Sequence, residues 1–282
     1  MHRGEGGTNL QKIPDSVRIG GGSSKQKLLR EYEPRILIAS IVSNQGKWLD
    51  RFLGALDQLD YLTDRISFAF LTGNNTDDTF EILDRFEMTH QGPLKWDNHN
   101  RKQRVWLKGM DSSWDGITRF ERLATLRNHL VFESLEDEEY VLMVDSDVLE
   151  MPVNLLSTLV NADADIVAPM VYIEDYELYG NDYFYDTLAF RVGDAGFGHT
   201  MPYIPGYSTL PDQLTYIDSV GTCYLVNSKV FRAGVKYQGS ETLSEQVGFC
   251  RRANHAGFRI AVLPDVGVLH CNFEMYGERF KP

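Results

Sequence analysis

Three stretches of the chain are apolar without alternation: Arg35 to Val42 (RILIASIV), Ile66 to Leu71 (ISFAFL) and Tyr140 to Val144 (YVLMV). A short unbroken apolar run bounded by polar turns predicts a strand buried on both faces, as in a parallel sheet covered by helices. Asp165 to Ile173 (DIVAPMVYI) is a fourth such run, and Arg259 to Leu263 predicts a last strand leading into Val266 to His270. Between these runs the period becomes helical. Trp48, Leu49, Phe52, Leu53, Leu56 and Leu59 fall on one helix face. A second helix carries Phe80, Leu83 and Phe86 and is expected to begin at a capping box of Asp78 with Glu81. A third, Ile117 to Leu135, presents Phe120, Leu123, Leu126, Leu130 and Val131; a fourth follows Ser244 through Ala256 and stops at Gly257. Strands alternating with helices predict an α/β fold, with a mostly parallel central sheet flanked by helices.

The rest of the chain is polar. Met1 to Lys25 is rich in Gly and Ser and predicts a flexible tail, so the expected division is a tail over 1–33 and one domain over 34–282. His90 to Gly116 is hydrophilic, with one short strand expected at Arg104 to Leu107 and a mobile loop around Arg101, Lys102 and Lys108. That basic loop suits either closure over a diphosphate or a solvated face. Glu174 to Gln213 dissolves into Tyr, Asp and Gly, and a loop region of that length inside a domain is usually functional or mobile. Tyr216 to Val226 predicts a strand broken at Asp218-Ser219-Val220-Gly221-Thr222, where backbone approaches a ligand closely.

The chemistry concentrates where Tyr140 to Val144 runs into Asp145-Ser146-Asp147. Open α/β sheets bind ligands outside the carboxyl ends of their strands. Two carboxylates there offer hard oxygen ligands to Mg²⁺ or Mn²⁺ carrying a diphosphate, although Asp is also a common turn residue. The Gly73 to Thr79 loop, near a helix start, offers amides and Asn and Asp side chains to a nucleotide. His270 closes an apolar run, where a core histidine is the ordinary expectation.

Charge narrows the partners. The formal net charge is −12, with no basic run, so no nucleic-acid partner is expected. Three widely spaced cysteines, Cys223, Cys250 and Cys271, suggest neither a disulfide framework nor a zinc cluster. No run of about 18 apolar residues is present, and the first residues lack the apolar core of a signal peptide; the expected location is cytoplasmic.

Taken in order, these motifs resemble the GT-A fold glycosyltransferases, and most closely the fungal Golgi α-mannosyltransferases of the mannan polymerase complexes, with the collagen galactosyltransferase amino-terminal domain more distant. The likeness runs from about Ile36 to His270. It rests on Gly73 to Thr79, Leu126-Arg127-Asn128-His129-Leu130, Asp145 to Asp147, Asp165 to Pro169, Glu245 with Gly248 and Phe249, Ala256-Gly257-Phe258, and His270. The resemblance implies a Rossmann-like single domain, with 34–150 binding the nucleotide sugar and 151–282 the acceptor. It implies Mn²⁺ or Mg²⁺ held by Asp147 and His270, with Asp145 at the metal or ribose. Nucleotide contacts are implied for Asn44, Gly73, Asn74, Asn75, Asp77, Arg127 and Asn128. Glu245 falls where these enzymes keep an acidic residue facing the acceptor. Two features depart from the family: its second acidic residue two positions later is Val247 here, and its membrane anchor has no counterpart.

The expected reaction moves a sugar from a GDP- or UDP-sugar to a glycan or other hydroxyl. An inverting course would need Glu245 or Asp218 as base; the mannosyltransferase likeness implies retention, in which the leaving phosphate takes the proton. The non-enzyme alternative is a binding or scaffold subunit of a glycosyltransferase complex. A sugar nucleotidyltransferase would start with a glycine-rich G-x-G-T-R, which is absent, and a haloacid-type phosphatase would place its D-x-D after the first strand.

Overall fold

β1 (Ile36–Val42) is buried because it lies between two parallel neighbours. β2 (Ile66–Thr72) pairs with it from Ile36 opposite Ile66 to Val42 opposite Thr72. On the other side, β4 (Tyr140–Val144) sets Tyr140 opposite Ile36 and Met143 opposite Ala39. The computed structural model describes residues 33–73, 75–91, 104–106, 116–173, 185–186 and 214–271. Among these, nine strands make one sheet. β3 (Arg104–Trp106) extends the parallel half beyond β2. Past β4 the direction changes: β8 (Cys223–Asn227) is antiparallel to both β4 and β6 (Ile166–Ile173). β9 (Ile260–His270) runs parallel to β6, and β5 (Val148–Glu150) and β7 (Thr215–Tyr216) add to it antiparallel.

Alternate residues of the central strands feed two cores. Ile36, Ile38, Phe68, Phe70, Leu142 and Val144 face one layer, where Phe52 and Leu56 of α1 (Leu49–Asp57), Leu83 and Phe86 of α2 (Thr79–Gln91) and Leu155 of α4 (Leu155–Val160) meet them. Leu37, Ala39, Val141 and Met143 face the other, against Leu130 and Val131 of α3 (Arg119–Ser134) and Phe249 and Ala253 of α6 (Glu245–His255). Each of the larger side chains, Leu, Ile, Val, Phe or Met, contributes about 1.5–3 kcal/mol by leaving water. A helix, a sheet and a helix layer follow directly from strands that are apolar on both faces.

Several details differ from the pattern-based expectation. Phe80 is 46% exposed, and Ile82 takes its place in the core of α2. The bonds at that helix start involve Asp77, whose Oδ1 accepts from Thr79 N at 3.2 Å. α3 begins two residues later than its apolar run, because Thr118 and Glu121 form a reciprocal capping box. Its buried side carries Ala124 and Arg127, with Phe120 and Leu123 only half-buried. The expected last strand, Arg259 to Leu263, continues through His270: Pro169 pairs with Leu263 and Met170 with Gly267, so Pro264-Asp265-Val266 bulge out of β9, where proline has no amide to give the ladder. The short elements β5, α4 and α5 (Ser228–Arg232) carry too little periodicity to have been expected. Gly257, with φ +87°, ends α6 as anticipated. Arg101, Lys102, Lys108 and the Glu174 to Gln213 stretch, apart from 185–186, lie outside the described residues.

Candidate active site

The Asp145-Ser146-Asp147 turn is fixed by three other segments. Asp145 N donates to Thr222 O at 2.9 Å, Ser146 Oγ to Ile41 O at 3.2 Å, and Cys271 N to Asp147 O at 2.9 Å. β5 then pairs Val148 with His270, which also lies opposite Ile173. The carboxyl ends of β4, β6 and β9 thereby converge.

His270 Nε2 lies 3.2 Å from Asp147 Oδ1. Its Nδ1 is 2.6 Å from Cys271 O; a carbonyl only accepts, so Nδ1 carries a proton and Nε2 is the nitrogen facing Asp147. The ring stacks on Tyr185 at 3.8 Å between centroids. Burial opposes a charge on His270, but Asp147 outweighs it and pushes the imidazole well above its usual pKa. The Cys271 thiol completes a trio whose ligand atoms all lie within 4.8 Å of one another.

Arg127, 3% exposed on α3, links two further carboxylates. Its Nη2 donates to Asp145 Oδ1 at 2.7 Å and its Nε to Glu245 Oε1 at 3.1 Å. Burial disfavours the guanidinium charge, and Asp145 with Glu245 more than restores it. Arg127 Nη1 and Glu245 Oε2 are buried without a hydrogen-bond partner among the described residues. Glu245, 1% exposed, opens α6 behind the Ser244 cap. Burial raises its pKa, with Arg127 opposing. Asn128 is placed differently: Nδ2 donates to Tyr237 O at 2.9 Å and Oδ1 accepts from Tyr237 N at 2.8 Å, so its amide holds the 237 backbone against α3.

Asp186 was not singled out from the sequence. Its carboxylate accepts from Thr222 N at 2.9 Å and Thr222 Oγ1 at 2.5 Å, closing the break between β7 and β8. Burial pushes its pKa up to about 6 against those two bonds. The only hint was its place in an aromatic, acidic loop, shared with many other residues. Cys271 had a better signal, being adjacent to His270. Asp218 sits half-buried in the bend after β7, and its charge bears on the Cys250 thiol.

The loops after β1 and β2 interlock beside this cluster's strand ends. Asn44, at φ +51°, donates N–H to Asn75 Oδ1 at 2.9 Å and accepts from Thr76 N at 2.7 Å. Ser43 Oγ donates to Gly73 O at 3.4 Å, and Gly46 N to Asp77 Oδ2 at 2.9 Å. Burial would raise the Asp77 pKa, but bonds from the Thr79 hydroxyl and the Gly46 and Thr79 amides hold it below the usual carboxylate range. Asn74 lies outside the described residues.

The donor set suits a divalent cation. Four carboxylates, Asp145, Asp147, Asp186 and Glu245, cluster around one permanent cation, Arg127. The Asp147 oxygen and the His270 Nε2, once neutral, form an oxygen–nitrogen ligand pair for one M²⁺. Asp145 is already engaged by Arg127, so the trio nearest to ligand geometry is Asp147, His270 and Cys271.

Among the described residues no helix is long and apolar enough to cross a membrane. A profile of the Anp1 family matches residues 22–196, more than half of the 282. The mannan polymerase II complex anp1 subunit of Schizosaccharomyces pombe is 24% identical over 93% of this chain and 68% of its own length. Procollagen galactosyltransferase 1 of Danio rerio is 29% identical over 52% of this chain, which spans only 25% of that relative. Among solved structures, a mannosyltransferase from Pyrobaculum calidifontis in complex with GDP-Man and Mn²⁺ superposes with a TM-score of 0.53 at 14% identity, covering 86% of this chain and 58% of the other. The fold is that of the GT-A glycosyltransferases, and the chain belongs to the Anp1 family.

Proposed function

We propose that the protein is a metal-dependent glycosyltransferase that moves a sugar from a GDP- or UDP-sugar, GDP-mannose foremost, to a glycan or other hydroxyl acceptor with retention. The observation that carries the reading is the convergence of Asp145, Asp147, Arg127, Glu245 and His270 on one set of strand ends. Residues 34–150 are assigned to the donor and 151–282 to the acceptor, with 1–33 as a tail. The names of relatives and neighbours, which include mannan polymerase and a GDP-Man complex, support the donor class.

Asp147 and His270 are assigned to hold Mn²⁺ or Mg²⁺, with Asp145 beside them. The ion supplies Lewis-acid stabilisation of the negative charge that develops on the leaving diphosphate. Arg127 is a fixed positive charge, oriented by Asp145 and Glu245, and is assigned to favour the charge of the diphosphate. Asn44, Gly73, Asn74, Asn75 and Asp77 are assigned to the nucleotide from the interlocked loops; Asn128 acts through the Tyr237 backbone instead. Inversion needs an accessible base. Glu245 is buried and committed to Arg127, and Asp218 is half-buried in the bend after β7. Retention needs no such base, which supports that course.

The test is release of nucleoside diphosphate from GDP-mannose and from UDP-sugars, with a mannoside acceptor, with Mn²⁺ and with chelator. Mn²⁺-dependent release from one donor is expected; none from any donor contradicts the reading. That second outcome favours a non-catalytic subunit, a reading supported by the complex named for the fission yeast relative.

A further inference from the structure

We infer that Cys271 is a third protein ligand at the metal site, making it an oxygen–nitrogen–sulfur site that takes Zn²⁺ and Co²⁺ more tightly than Mn²⁺ or Mg²⁺. The inference rests on the metal site of the proposed function and adds a residue and a selectivity to it. Cys271 is fully buried, yet its Sγ lies with the Asp147 oxygen and a His270 ring nitrogen inside 4.8 Å. The trio is held by backbone rather than by chance side-chain packing: Cys271 N bonds Asp147 O at 2.9 Å, and Val148 is in register with His270. His270 Nδ1 is occupied by the Cys271 carbonyl at 2.6 Å, which leaves Nε2 as the coordinating nitrogen on the Asp147 side. A neighbouring backbone carbonyl fixing one ring nitrogen is the usual outer-shell arrangement for a metal-binding histidine.

Thiolate and imidazole are softer donors than the carboxylate and water oxygens that suit Mn²⁺ and Mg²⁺. Zn²⁺ with cysteine, histidine and carboxylate ligands keeps one position open for substrate in catalytic sites. Binding would replace the Cys271 proton by the metal and release that proton to solvent. The other two thiols, Cys223 and Cys250, are buried elsewhere in the two cores.

The experiment is titration of the metal-free protein with Co²⁺, followed by near-ultraviolet absorption. A thiolate-to-Co²⁺ charge-transfer band at one equivalent is expected, and Zn²⁺ should displace it. Cys271→Ser should abolish the band and weaken Zn²⁺ by about tenfold or more. Co²⁺ bound by wild type without the band overturns the inference and needs no variant. Should Cys271→Ser fail to fold, the Cys223→Ser/Cys250→Ser double variant, whose only thiol is Cys271, must keep the band; its loss there also overturns the inference. Failure here leaves the transferase reading standing, because that reading needs only Asp147 and His270.

Discussion

Arg127 Nε lies 3.1 Å from Glu245 Oε1, joining α3 to the first turn of α6 in a pair closed to solvent. Removing one partner leaves a buried charge short of compensation, which costs about 3–5 kcal/mol. Glu245→Ala should lose stability on that scale in urea unfolding. Glu245→Gln, which keeps an oxygen for Arg127 Nε, should lose about 1–2 kcal/mol. Equal stability of Glu245→Ala and wild type would mean that the pair is not formed.

The Gly248 position explains why α6 carries a glycine three residues into the helix. A Cβ there would lie 1.8 Å from the Gln238 carbonyl oxygen. Helix propensity alone favours alanine over glycine by about 1 kcal/mol, whereas overpacking costs about 1–3 kcal/mol or more. Gly248→Ala should be destabilising, read as a lower urea midpoint; a gain would show that α6 does not approach this backbone so closely.

Asn44 holds a left-handed backbone and bridges the loops after β1 and β2. Asn44→Gly keeps the conformation and loses the Thr76 bond, costing about 1 kcal/mol. Asn44→Ala adds the left-handed penalty of about 1–2 kcal/mol. The order Asn, Gly, Ala in unfolding free energy is expected, and both variants should bind nucleotide more weakly. If alanine proves as stable as glycine, backbone conformation does not set the requirement.

Asp186 makes stability depend on pH in an unusual direction for a carboxylate. Burial lifts its folded pKa to about 6, against about 3.9 unfolded. The folded state therefore binds the proton more tightly, and this contribution is fully present below about pH 4 and lost above about pH 6. Relative to Asp186→Asn, wild type should gain up to about 3 kcal/mol as pH falls from about 7 to about 4. A difference that is flat, or that moves the other way, would contradict the buried placement of Asp186.

The parts of the fold that showed in the sequence are those whose burial is total. β1, β2, β4 and β6 are apolar at nearly every position because helices cover both faces, and no register or partner is needed to see that. Strand direction left no such mark: β8 is as apolar as β4 yet runs antiparallel. The candidate site was legible at the strand end in Asp145 and Asp147, whereas His270 reads locally as a core histidine and became a candidate only through the resemblance. Arg127 was visible as a candidate, but its partners are 18 and 118 residues away, and only the packing of α3 on α6 brings them to it. Asn128, one position on, looked equivalent in sequence; the helical turn directs its amide to Tyr237. Asp186 stayed hidden because its role depends on filling the break at Thr222, which is a tertiary contact.

Asp147 and His270 are proposed to anchor a metal that brings a nucleotide sugar to these strand ends. Calorimetric titration of GDP, UDP and their sugars, with and without Mn²⁺, on wild type and Asp147→Asn tests that role. Mn²⁺-dependent binding of one nucleotide class is expected, and it should be lost in Asp147→Asn while the variant stays folded. Nucleotide binding that is absent under every metal condition, or that survives unchanged in Asp147→Asn, would contradict it.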